Sequence, residues 1–201
     1  MKGFAFSLLL FIYPCVSYAD WDKTNNTDTI TNVHTLSVTG TDYYQNNSVG
    51  LRCDISGNVK RLMVTYSLEK VINVPNSEVD FYLKVDENDV IYLESKLYSN
   101  SYDSGYVRSD DYNSKYITKL IKQMISGNFV VIKVKNKDSS EVIDYKVDLK
   151  NFTNFSKDTL SACDYYKNKK KITVEDKNRL NDIDKNIDRL KSEKESILSK
   201  Y

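Results

Sequence analysis

The chain has 201 residues and a mass of 23.3 kDa, with 40% hydrophobic and 28% charged residues, which fits one globular domain plus an appendage and excludes a disordered polymer. One His and three Cys leave too few ligands for the usual zinc sites, and two Pro with six Gly exclude collagen-like and glycine-linker architectures. A formal charge of +1 offers no global attraction for nucleic acid or an anionic membrane.

In chain order, the first predicted element is an export leader over residues 1–19. Lys2 supplies its positive start, Phe4 to Val16 its apolar run, and Ser17-Tyr18-Ala19 the small residues a signal peptidase needs. Pro14 and the brevity of the run argue against a membrane span. Asp20 is then the expected mature N-terminus, and removal of Cys15 leaves Cys53 and Cys163. An even pair in an exported chain predicts a disulfide, structural in role because neither cysteine sits in a C-x-x-C motif. The charge of the remaining chain is uneven. Residues 167–201 carry 11 basic and 7 acidic side chains, a balance of +4, and residues 20–166 carry −4.

Polar Trp21 to Asn32 reads as a lead-in. Strands are expected at Thr35–Gly40, Val49–Ile55, Val59–Leu68, Val79–Asp86 and Val90–Tyr98. Gly57-Asn58 turns one pair, and Asp86 to Asp89 tips another. Ser99–Ser114 reads as a long loop or a weak edge strand around Tyr106. Ile117, Leu120, Ile121 and Met124 then recur at helical spacing, with Gly127 as a plausible C-cap. Two further strands follow at Phe129–Val134 and Val142–Leu149. A second helix carries Phe152, Phe155, Thr159, Cys163 and Tyr166. The expected fold is therefore mainly β (α+β): an antiparallel β-sandwich or half-open barrel of seven or eight strands with two short helices.

Three regions result: the leader at 1–19, a disulfide-stapled β-rich domain at 20–166 and a basic helical tail at 167–201. In the tail, Leu180, Ile183, Ile187, Leu190 and Ile197 fall on a/d heptad positions, with Lys194 at a polar a position. A helix of about thirty residues is predicted from Ile172 to Tyr201. Its stripe either folds back on the body or associates weakly with another copy. Asp182, Asp184, Asn186, Asp188 and Glu193 imitate a calcium loop, but Ile187 stands where that loop needs Gly, so no metal is expected there.

No hydrolase, kinase, phosphate-loop or dinucleotide motif is present, His34 sits among Thr and Asn, and acid pairs such as Asp110-Asp111 and Glu87/Asp89 read as solvated loop charges. No catalytic residue and no cofactor is expected. Tyr98, Tyr102, Tyr106 and Tyr112 crowd a segment rich in Ser and Asn, the composition of adaptable binding loops, and are the candidate binding residues.

The order of these features carries a family likeness. Trp21 stands near the mature N-terminus, followed by Leu51-Arg52-Cys53. Tyr82-Leu83-Lys84-Val85-Asp86 comes next, then the helix ending at Gly127 and Phe129-Val130-Val131-Ile132. Lys146-Val147-Asp148-Leu149 finally runs into the cysteine-bearing helix. Over residues 20–166 this resembles the VasI-like family of type VI secretion-associated periplasmic proteins and, more loosely, the invasion-associated locus B proteins. The chain departs from the pattern with Asn151 where a Gly is usual, with Lys84 and Leu93 in the central strands, and with the heptad tail. The resemblance implies a periplasmic or secreted accessory module without catalytic residues, whose partner is an envelope or secretion-apparatus protein. The rival expectations are a cell-wall glycan hydrolase or lysozyme-type inhibitor, and a secreted effector.

Overall fold

The computed structural model describes residues 21–44, 46–110, 112–138, 141–167 and 174–200. The leader with Cys15, Asp111, the Lys169-Lys170-Lys171 boundary and the outermost ends of the predicted tail helix lie outside them. The chain forms two compact units, one ending at Asp164 and one beginning at Tyr165.

All nine strands of the first unit belong to one antiparallel sheet. They are β1 (Trp21–Thr27), β2 (His34–Thr41), β3 (Ser48–Ser56), β4 (Val59–Ser67), β5 (Glu78–Val85), β6 (Ile91–Leu97), β7 (Ser104–Arg108), β8 (Phe129–Asn136) and β9 (Val142–Asp148). The spatial order is β1-β2-β3-β4-β7-β6-β5-β8-β9. A single curled half-barrel thus replaces the sandwich alternative, because no second sheet exists among the described residues to pack against.

Alternation sets which face is core. In β5, Val79, Phe81, Leu83 and Val85 are buried, and in β6 Ile91, Leu93 and Leu97 are buried. Helix α1 (Ser114–Ser126) turns Ile117, Leu120, Ile121 and Met124 into the core on the β5–β6 side. Helix α2 (Phe152–Ala162) lies against β1, β2 and β3 and contributes Phe152, Thr159 and Leu160. Asn151, which precedes it, takes φ 69°. That left-handed conformation is one that Gly favours and Asn tolerates.

Two expectations are corrected. Trp21–Asn32 is no lead-in: residues 21–27 pair with β2 along their whole length, from Trp21 with Gly40 to Thr27 with His34. The strand reads as polar because it is an edge, where backbone hydrogen bonds suffice and only Trp21 is buried. Nor is Tyr106 in a loop or an edge strand: β7 is the fifth strand of nine and pairs with both β4 and β6. Gly105 permits this. A Cβ there would collide with the Tyr66 hydroxyl and crowd the Lys96 carbonyl oxygen.

Other ends shift by a few residues. The second helix stops at Ala162, with Cys163 as its C-cap, so Tyr166 belongs to the second unit. Gly127 follows α1 in extended rather than left-handed backbone (φ −89°), and its lack of a side chain spares Val85 a clash. The second unit holds α3 (Val174–Leu198), 25 residues of uninterrupted helix. Asp182, Asp184, Asn186, Asp188 and Glu193 all lie on it, fanned around continuous helix where a calcium loop would have to fold. No helix among the described residues is long and apolar enough to cross a membrane.

Candidate functional site

Cys53 of β3 is bonded to Cys163, and their Cα atoms are 5.7 Å apart. The bond fastens the end of α2 to the inner face of the sheet. The residues flanking Cys53 in sequence, Arg52 and Asp54, therefore point to the opposite, outer face.

There they begin a connected strip. Arg52 Nε donates to Asp54 Oδ1 at 2.7 Å, and Thr35 Oγ1 donates to the same oxygen at 2.8 Å. Register places Ser37, Arg52, Met63 and Arg108 side by side across β2, β3, β4 and β7. Tyr98, just past β6, interacts electrostatically with Arg52 and stacks on Tyr106 with ring centroids 4.9 Å apart. The Arg108 guanidinium lies 5.1 Å from the Tyr106 ring centre, within cation–π range. Side chains from four strands thus meet on one rigid surface.

Electrostatics ties the strip together. Partial burial works against the charge of Arg52, but hydrogen bonding and attraction from Asp54, and then Tyr98, outweigh it and raise the guanidinium's pKa. Burial pushes the Tyr98 phenol up, and Arg52 partly offsets that push. Arg52 is held charged and Tyr98 protonated, so the strip presents fixed donors beside aromatic faces.

A groove of about 620 Å³ opens next to it, lined by Thr24, Asn26, Asp28, Thr35, Arg52 and Asp54 among others. Its walls combine hydroxyl and amide groups with the charges of Asp28, Arg52 and Asp54. Asp28 at its rim accepts from the backbone N–H groups of Ile30 and Thr31 at 2.8 and 2.9 Å. The hydrogen bond from Thr31, then that from Ile30, holds its carboxyl below the usual range.

No known protein family, curated protein or solved structure matches this chain. The chemistry of the site therefore has to be read from its own geometry.

Of the four candidate tyrosines, the fold brings Tyr98 and Tyr106 together. Tyr102 is exposed in the β6–β7 connection, where its carbonyl oxygen accepts from Ile72 N at 2.9 Å. Tyr112 is exposed ahead of α1 and pairs with Tyr116 at 6.3 Å. They are separate surface features rather than one loop. Nearby acids are occupied: Asp103 accepts from Ser101 and Ser104, and Asp110 accepts from the Asn113 N–H. Glu87 pairs with Lys84 and Asp89 with Lys119. His34 Nδ1 sits 2.9 Å from Thr27 Oγ1, across a strand pair. Among the described residues no group of three or more His, Cys, Asp or Glu could hold a metal ion.

Arg52, Asp54 and Arg108 do not stand out in the sequence. Alternation around Cys53 puts the first two on the outer face, but their meeting with Tyr98 depends on β7 lying beside β4. The tail residues Leu180, Ile183, Ile187, Leu190 and Ile197 lie on α3 and are between 43% and 56% exposed.

Proposed function

We propose that the chain is an exported, non-catalytic binding module of the bacterial envelope, serving another envelope or secretion-apparatus protein. The observation that carries this reading is the outer-face strip of Arg52, Asp54, Tyr98, Tyr106 and Arg108. Arg52 and Asp54 are tied to one another and exposed Arg108 lies over the Tyr106 ring, an arrangement that suits recognition of a surface better than proton transfer. A rigid sheet backs it, so little ordering entropy is lost on binding. Export is supported by the leader pattern of residues 1–19 and by a disulfide, which persists in oxidising compartments. The resemblance to VasI-like proteins supports the accessory role.

The test is in-cell crosslinking and capture from the envelope, comparing the native chain with Tyr106→Ala/Arg108→Ala and with a chain ending at Lys170. The reading expects one discrete envelope protein, lost in the double variant and retained in the truncated one. Equal capture by the double variant would remove the strip from the site. The groove favours one further reading: its Thr and Asn walls beside stacked tyrosines suit a polyhydroxylated ligand such as wall glycan. Co-sedimentation with purified peptidoglycan, abolished by Asp54→Ala, would favour it.

A further inference from the structure

We infer that α3 is an antiparallel dimerisation helix, pairing with α3 of a second copy of this chain. Its apolar stripe, Leu180-Ile183-Ile187-Leu190-Ile197, stays about half exposed along an uninterrupted helix. Side chains of this size at 3–4 spacing form a seam that a second helix can cover. Lys194 inside the seam selects the direction, and the charges beside it select the register.

In a parallel pair each a position faces itself. Lys194 would meet Lys194 of the second copy inside the seam, two like charges at a core layer. The antiparallel pair avoids this. With Ile187 opposite Leu190 of the second copy, Leu180 falls opposite Ile197 and Lys194 opposite Ile183, where its long stem covers the isoleucine and its ammonium reaches solvent. The flanking e positions then bring Asp184 beside Lys191 of the second copy, and by symmetry this attraction occurs twice. Sliding the pair by one heptad in either direction brings Lys191 against Lys191 and Glu193 against Glu193, or Asp184 against Asp184. In the favoured register the like-charge contact at the flanking g positions is Arg179 with Lys200, and Lys200 lies beyond the end of α3. Hydrophobic layers and charges select the same full overlap of two identical helices, so the seam is complementary to itself.

Exposed ion pairs add little strength but set register. Three heptads give a modest interface, so the dimer should be in concentration-dependent exchange with monomer.

The experiment is sedimentation equilibrium of the purified exported chain over a range of concentrations, with thermal unfolding of the disulfide-stapled body followed in parallel. The expected result is a monomer–dimer equilibrium that Ile187→Lys abolishes without changing the unfolding of the body. Asp184→Lys and Lys191→Asp should each weaken the dimer about tenfold, and the double reversal should restore it. A parallel dimer predicts otherwise: Lys191→Asp faces Asn186 and changes little, and the double reversal stays weak because Lys at 184 still faces Arg179. A chain monomeric at every concentration would overturn the inference. So would a dimer indifferent to Ile187→Lys, or a body destabilised by that substitution, which would mean the stripe packs on the body.

Discussion

Trp21 Nε1 donates to the carbonyl oxygen of Asp148 at 2.8 Å, joining the first strand of the sheet to the end of the last. The same indole packs on Phe152 with ring centroids 4.9 Å apart. Tyr145 crosses the seam further along, its hydroxyl donating to the Ser48 carbonyl oxygen at 2.7 Å. The half-barrel is therefore closed by side chains and α2, since β1 and β9 share no backbone ladder.

Trp21 is 3% exposed, so its replacement should be costly for a strand that is otherwise polar. Trp21→Ala is expected to lose about 3–5 kcal/mol from the emptied volume. Trp21→Phe keeps the ring contact but orphans the Asp148 carbonyl, at a cost of about 1–3 kcal/mol. Gly40→Ala should resemble the second variant, because its Cβ would stand 2.7 Å from the indole. Chemical denaturation checks all three, with the midpoint shifting at unchanged slope.

The Cys53–Cys163 bond closes a loop of 110 residues. On the chain-entropy account it should stabilise the first unit by about 4–5 kcal/mol. Cys53→Ala and Cys163→Ala should each lose an amount of that order and become insensitive to added thiol, whereas thiol should lower the melting temperature of the native chain to near theirs. Unfolding curves with and without reductant make the comparison. Equal stability in both conditions would show that the bond constrains little.

The hairpins and α1 were legible because each is a local pattern: Phe81, Leu83 and Val85 alternate, and Ile117, Leu120, Ile121 and Met124 repeat at 3–4 spacing. β1 was not, because Trp21-Asp22-Lys23-Thr24-Asn25-Asn26-Thr27 pairs through its backbone and buries only its first side chain. β7 was not, because a five-residue strand containing Ser and Gly has little signal of its own. Its central place follows from Val107 being buried and from Tyr66 filling the space over Gly105. The site shares this limit. Tyr98 and Tyr106 are visible as composition, but Arg52 joins them only through the crossover that sets β7 beside β4.

Asp86 begins the β5–β6 turn with φ 46° and accepts from the backbone N–H groups of Asn128 and Phe129, both at 3.0 Å at closest. The Asn128 hydrogen bond leads the causes that hold its carboxyl below the ordinary 3.8; burial opposes it, and the Phe129 bond adds to it. A folded pKa below the unfolded one means the unfolded chain binds more protons in acid. The stabilisation is therefore present above the ordinary carboxylate value and is lost as pH falls through the folded value. Asp86→Asn should cost about 1 kcal/mol at neutral pH, as for a lost helix cap. That difference should shrink as pH falls below the ordinary carboxylate value and on through the lower folded one, where the native carboxyl is itself protonated. Denaturation midpoints across an acid series check it; a constant difference would exclude the charge as the cause.

Alkaline pH should act through Tyr66 and Tyr145, which lie on the inner face of the sheet. Burial raises the Tyr66 phenol far above its ordinary 10.0, and the Ser95 hydroxyl 3.0 Å away only partly offsets this. Burial also raises Tyr145 well above that value, with charge at Tyr66 and Asp42 adding to the effect. Here the native state keeps protons that the unfolded chain releases, so the contribution is intact below about pH 10 and falls as pH rises beyond it. Tyr66→Phe is expected to lose about 1 kcal/mol at neutral pH with its hydrogen bond to Ser95. It should also flatten the decline in stability above pH 10, and Tyr66→Phe/Tyr145→Phe should flatten it further. In the native chain the phenolate absorbance of these two residues should rise only with loss of the β-sheet circular dichroism signal. Phenolate from either residue in a chain that keeps its sheet signal would mean that the inner face admits hydroxide without unfolding, which contradicts the burial that holds the half-barrel together.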